Sequence, residues 1–355
     1  MKSKRLLLVL LLFSSSFSFF SLVFSACHQK SDSIYEKTLD FFEKNLDQTV
    51  LFDYTMFRRI EGKTSTGKSI FDSVQVGYIL WQFSEITKDE KLKQKSKNLA
   101  EKIFSSVWKN KNKNKKGEYL WGYESLVGPE EIKVMEIPDI DTTSVVLAIF
   151  KITNFKNIPK EFVESLTQFI REDGTVKIWI AGSPFSESRD VGIAANVLWA
   201  FSVYDIYNER VERICKFIHN FVSNPQNFKD IWYRVYYLSD YLALYNMVRA
   251  LPYTKCQNKN EIKDKIEKIL TYALLYDKDL NITTRCAIIS SLLKMNTKLD
   301  KAEIKKIPEY LNKSIEMKEP EYIYEGTGDP ERKILLGAKA LSCALCFEAL
   351  FLANQ

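Results

Sequence analysis

Histidine is nearly missing from this chain, which holds only His28 and His219 among 355 residues. No helix can therefore carry two histidines, which excludes histidine-based catalytic triads and histidine-rich metal sites; no metal and no cofactor is expected. Neither sign of charge dominates. The formal charge is +6, and three of the basic residues, Lys2, Lys4 and Arg5, sit in the first five positions. The remainder is close to balanced, so nucleic acid is not an expected partner. Strand signals are almost absent, and after residue 26 no apolar run is long enough to span a membrane.

What is present begins with a leader. Lys2, Lys4 and Arg5 precede an apolar run from Leu6 through Val23, then Phe24-Ser25-Ala26-Cys27 and the polar His28-Gln29-Lys30. A basic start, an apolar core and small residues before a boundary make residues 1–26 a secretory signal peptide and residues 27–355 the mature domain. Phe24-Ser25-Ala26-Cys27 resembles a bacterial lipobox, in which the cysteine becomes the first mature residue and carries lipid. Lipidated Cys27 would tether the protein to a membrane of the bacterial cell envelope, since several acyl chains together give stable anchoring. Cleavage after Ala26 without lipid is the plainer alternative.

Cys215, Cys256, Cys286, Cys343 and Cys346 lack zinc-finger spacing. They read as structural thiols, including the Cys343-x-x-Cys346 pair, which lies in what looks like continuous helix.

Two helix types alternate along the mature chain. One is amphipathic: Val211, Ile214, Cys215, Ile218, Phe221 and Val222 form a stripe, with Glu209, Arg210, Glu212, Arg213 and Lys216 elsewhere. Such a helix has one wet face and belongs on the outside. The other type is apolar on nearly every side, as in Val145–Ile152, Val191–Val203, Leu242–Leu251, Ala287–Leu293 and Leu335–Leu352, and must be buried all round. The starts of these helices, near Asp141, Asp190, Tyr236, Thr283 and Arg332, recur at roughly 46–49 residues, the period of a repeated helical hairpin. An earlier buried helix over Ile70–Phe83 makes six. Outer partners begin near Ile34, Asp89, Pro159, Asn208, Glu261 and Ala302. The predicted fold is all-α, an (α/α)6 toroid of six hairpins in two concentric rings with little or no sheet. Outer-to-inner linkers are long and aromatic, with Trp121, Tyr123, Trp179, Trp232, Tyr233, Tyr322 and Tyr324, and function is expected on the face that carries them.

Pro138-Asp139-Ile140-Asp141-Thr142-Thr143 opens a buried helix after such a linker. Together with Glu172-Asp173-Gly174 and Trp179, Ala194-Ala195-Asn196-Val197-Leu198 and Gly337-Ala338-Lys339-Ala340-Leu341, it resembles the terpenoid cyclase and protein prenyltransferase superfamily of α/α toroids, in its squalene-cyclase-like branch. The resemblance implies that Asp141 matches the protonating acid of a D-x-D-D motif and Asp139 its first position, with Thr142 in place of the last Asp. A D-D-x-x-D run is absent.

A protonating carboxyl must be kept neutral by burial or by a second carboxylate. Asp139 and Asp141 also sit where helix caps belong, and capping alone would lower their pKa. Asp190, Asn196, Tyr236, Asp240 and Arg285, with Trp121 and Trp179 from the linkers, are the candidate ligand-binding residues. Arg189 and Arg234 recur with Arg285 near inner-helix starts and suit an anionic group. Three functions fit these features. The first is binding or transformation of an apolar or isoprenoid-like small molecule. The second is a carbohydrate-active enzyme acting on a glycan through paired acids such as Asp141, Asp190 and Asp240. The third is a noncatalytic interaction scaffold with a filled ring centre.

Overall fold

The computed structural model describes residues 33–46, 48–59, 61–113, 119–123, 138–178, 180, 189–230, 233, 236–325 and 334–355. Cys27, Trp179, Trp232, Arg234 and Arg332 lie outside them.

Six helical hairpins form the molecule. The outer helices are α1 (33–45), α3 (Glu90–Lys109), α5 (Lys160–Ser165), α7 (Glu209–Ser223), α9 (Lys259–Tyr276) and α11 (Lys301–Glu316). The inner helices are α2 (Ile70–Ile86), α4 (Ile140–Ile152), α6 (Val191–Val203), α8 (Asp240–Ala250), α10 (Ile282–Lys294) and α12 (Lys339–Ala353). Each inner helix packs on the next, and α12 packs back on α2, so the ring closes. The fold is the (α/α)6 toroid that the alternation of helix types predicts. Its third outer member is short: α5 gives way after six residues to a 3-10 turn, Leu166–Phe169.

The two helix types separate as their sequences require. In α7 the apolar stripe is buried while Glu209, Arg210 and Lys216 face solvent. In α6, eleven of thirteen residues are buried, because α4 and α8 flank it and α7 covers its back.

Sheet is sparse, as expected, and what there is lies in the linkers between helices. Strands β1 (Phe52–Arg58) and β2 (Lys63–Ser69) form an antiparallel hairpin between α1 and α2. A two-residue ladder joins β3 (Asn112–Lys113) to β4 (Tyr119–Leu120), and β5 (Tyr324–Glu325) and β6 (Ile334–Gly337) lie between α11 and α12. The order β2-β1-β6-β5 pairs the first linker with the last, Thr55 opposite Gly337 and Arg58 opposite Ile334. The hydrogen-bond ladder thus latches the two ends of the ring. Further contacts do the same: Asn354 Nδ2 donates to Tyr35 Oη at 2.6 Å and Lys37 Nζ to Asn312 Oδ1 at 2.9 Å. Two predicted starts move: α8 begins at Asp240 rather than near Tyr236, after the isolated bridge of Tyr237 to Tyr324, and α12 at Lys339 rather than near Arg332, after β6.

Inner-helix starts share one face, tied to each other by the linkers. Ile70 N–H donates to Tyr123 O, Asp139 N–H to Trp121 O, Ile140 N–H to Ile178 O and Leu238 N–H to Ile323 O. At α10 the Glu321 carboxylate accepts from the free N–H groups of Ile282 and Thr283, at 3.0 and 2.7 Å. This belt satisfies backbone donors that a helix start would otherwise leave unpaired.

Four cysteines read as thiols are in fact paired, Cys215 with Cys256 and Cys286 with Cys346. Each bond joins neighbouring hairpins. Cys343 is a buried thiol, so the C-x-x-C spacing does not form a redox pair.

Candidate functional site

Helix α4 starts with two carboxyls that do different things. Asp139 is the cap: its Oδ1 accepts from Thr142 N–H at 2.6 Å, and the residue is 6% exposed. Asp141, two residues further, points toward α6 and the linker before α8 and stays half-buried. Its Oδ1 accepts from Asn196 Nδ2 at 2.8 Å and its Oδ2 from Tyr237 Oη at 3.0 Å. Asn196 Nδ2 also lies 2.8 Å from Tyr237 Oη. The spacing works because Asn196 sits one turn into α6, while Tyr237 comes from the linker before α8.

Tyr237 reaches Asp141 only because residue 192 has no side chain. A Cβ on Gly192 would overlap the Tyr237 ring. The same α6 start holds Asp190, whose Oδ1 accepts from Gly192 and Ile193 N–H at 2.9 and 3.2 Å and whose Oδ2 accepts from Tyr236 and Tyr237 N–H at 2.8 and 3.4 Å. Four backbone donors leave Asp190 the role of a double cap, fixing the loop that delivers Tyr237.

Capping does not lower the carboxyl pKa values here, because burial outweighs it. Desolvation, then the charge of Asp141, push Asp139 up to about 8. Desolvation raises Asp141 to about 6 against the opposing hydrogen bonds from Asn196 and Tyr237 and the more distant charge of Arg249. Asp190 rises to about 7, chiefly by burial. Near neutral pH the cluster holds protons that exposed aspartates would release, and Asp141 is the least completely buried of the three.

A row of rings continues from Tyr237. Tyr324 meets it edge-on at 5.4 Å, Phe71 packs on Tyr324 at 5.5 Å and on Tyr123 at 5.8 Å, and Tyr54 meets Tyr123 at 5.4 Å. At the end of the row Tyr123 Oη donates to Asp72 Oδ2 at 2.8 Å, and burial raises Asp72 to about 6.

Of the sequence candidates, Asp139, Asp141, Asp190 and Asn196 converge, and Tyr236 joins them through its backbone N–H. Asp240 opens α8 next to its cap residue Ser239 and is half-buried. Arg285 instead turns to the outer ring, where its Nη1 lies 3.7 Å from Glu303 Oε2 of α11. Trp121 is fully buried with Phe150 and Trp108, and its indole N–H donates to Val107 O at 2.9 Å, so it packs α3 against α4. Glu172-Asp173-Gly174 forms a turn: Gly174 takes φ +84° and Asp173 Oδ1 accepts from Thr175 N–H at 3.0 Å. Sequence reasoning missed Tyr237, Gly192, Asp72, Gln75 and Arg249.

No protein-family model and no curated sequence matches the chain. Solved structures do. A type II terpene cyclase from Scytonema superposes with a TM-score of 0.60 at 10% identity, covering 91% of this chain and 96% of its own. An unsaturated glucuronyl hydrolase specific for heparin gives 0.47 at 12% identity, over 91% of this chain and 97% of that one. The first establishes the α/α toroid as a terpenoid-cyclase-like fold.

Proposed function

We propose that this protein protonates an apolar, isoprenoid-like ligand at an alkene, with Asp141 as general acid. The observation that carries this reading is Asp141 itself: a half-buried carboxyl with raised pKa, set beside a second carboxyl and at the end of a row of aromatic rings. Transfer of its proton to an alkene carbon would leave a tertiary carbocation. The faces of Tyr237, Tyr324, Phe71 and Tyr123 offer the negative quadrupole that attracts such a charge. Asp139, holding its proton more tightly, keeps negative charge from accumulating beside the acid. The fold it shares with a type II terpene cyclase supports this chemistry by analogy alone.

A carbohydrate-active reading needs a second working carboxylate, and Asp190 is committed to four backbone donors. The test is incubation of the purified protein with farnesol, geranylgeraniol and squalene in D2O. The reading expects products carrying one non-exchangeable deuterium, and recovery of both alcohols and of squalene without carbon-bound deuterium would contradict it.

The same proposal places the mature chain on an envelope membrane through lipidated Cys27. Two disulfides support export, since such bonds persist in oxidising compartments. Replacing Cys27 with Ser should abolish fatty-acid labelling and release the protein to the soluble fraction.

A further inference from the structure

Arg249 lies on the last turn of α8, 5% exposed, with its guanidinium 4.6 Å from the Trp199 ring centre and 5.0 Å from that of Tyr245. Among the described residues its hydrogen bonds all go to amides. Nη1 donates to Gln75 Oε1 at 2.8 Å, and Nη2 donates to Asn196 Oδ1 at 2.9 Å and Asn246 Oδ1 at 2.6 Å. Gln75, Asn196 and Asn246 belong to α2, α6 and α8, so one side chain spans the ring interior.

A guanidinium can only donate. Asn196 must therefore turn its oxygen to Arg249 and its N–H groups to Asp141 and Tyr237. Because Tyr237 Oη accepts one of those, its own hydrogen is left for Asp141 Oδ2. Every hydrogen in the chain Arg249, Asn196, Tyr237, Asp141 thus has one direction, set at the arginine. We propose that Arg249 is a positioning residue for Asp141, acting through Asn196 to fix which way this hydrogen-bond network points. Without it the Asn196 amide is free to rotate and present its carbonyl to the carboxylate, which would repel it.

The other titratable groups around Asp141 are Asp139 on its own helix, Asp190 at the α6 start, Tyr237 in the linker before α8 and Tyr324 on β5. The acids oppose ionisation of Asp141, while Tyr237 favours it by donating. Arg249 is the cation that favours it.

The inference gives the proposed acid its regulation, but its test needs no substrate, so its failure is separable from failure of the catalytic reading. Carbon-13 NMR of aspartate-labelled protein, with Asp141→Asn to assign the resonance, reads the titration midpoint of Asp141. Arg249→Gln should raise that midpoint by roughly 1 pH unit or more. In an Asn196→Leu background the same substitution should move it by less than half as much, because the relay is already cut. An unchanged midpoint in folded Arg249→Gln would overturn the inference. So would an equal shift with and without Asn196, which would mean that the charge acts directly. If Arg249→Gln does not fold, Arg249→Met, which removes both the charge and the donors while filling similar space, takes its place with the same two outcomes.

Discussion

Glu348 and Asp141 are both carboxylates on inner helices, but they have been treated in opposite ways. Glu348 is fully buried in α12 with Lys294 Nζ 2.6 Å from Oε1 and Tyr245 Oη 3.0 Å from Oε2. Asp141 is half-buried at the linker face, and among the described residues its hydrogen-bond donors are neutral. A paired carboxylate in the packed interior is committed to its cation. One held by neutral donors, with its pKa raised, can exchange a proton. The difference separates a group that locks hairpins together from a group available for chemistry.

The largest effect should come from unpairing the first cluster. Glu348→Ala leaves Lys294, whose pKa burial already pulls down, without its partner. A loss of about 3–5 kcal/mol is expected in denaturant unfolding. Glu348→Leu combined with Lys294→Met should recover most of it, since an apolar pair of similar volume removes both charges. A loss under about 1 kcal/mol for the single variant would erase the distinction between the clusters.

Asp190→Ala comes next. It removes an acceptor from four backbone N–H groups, and about 2–4 kcal/mol of stability should go with it. Tyr237 should also lose its place beside Asp141.

Buried aspartates make a contribution that is graded with pH. Asp72, Asp139, Asp141 and Asp190 titrate near 6 to 8 when folded, against about 3.9 in an unfolded chain. The folded protein binds protons that the unfolded chain has released. Their stabilising effect is therefore complete below about pH 4 and is lost as pH rises through the folded pKa values. Between about pH 5 and 8 the melting temperature should fall, and Asp139→Asn should flatten the upper part of that slope. A melting temperature that rises across the window would contradict the raised pKa values.

Much of the ring was legible because it rests on local pattern. The stripe of α7 and the all-apolar α4 and α6 dictate inside and outside without knowledge of the partners, and Asp139 and Asp190 are caps that a sequence can show. The sheet was not legible. In β1, buried Phe52, Tyr54 and Met56 alternate with Asp53 and Thr55, a period of two, but the partner β2 is Lys-Thr-Ser-Thr-Gly-Lys-Ser and has no apolar face to betray it. What holds it is pairing to β1, a long-range fact.

Arg249 and Glu348 left a signal that went unread. Each is a lone charge within a stretch otherwise apolar on all sides, and a charge there must find partners across the ring. Which partners was not readable, since Gln75 is 174 residues from Arg249 in sequence. Tyr237 was invisible for a different reason: its reach to Asp141 depends on the missing Cβ of Gly192.

The smallest structural effect and the largest functional one should coincide at Asp141. Asparagine is nearly the same shape, can accept from Asn196 through its oxygen and can donate to Tyr237, whose hydroxyl rotates to accept. With any of the isoprenoid probes that the wild type converts, Asp141→Asn should lose about 10²–10⁴-fold in turnover or more while its melting temperature at pH 5 stays close to wild type. Conversion by Asp141→Asn at the wild-type rate would contradict the central claim that Asp141 donates the proton.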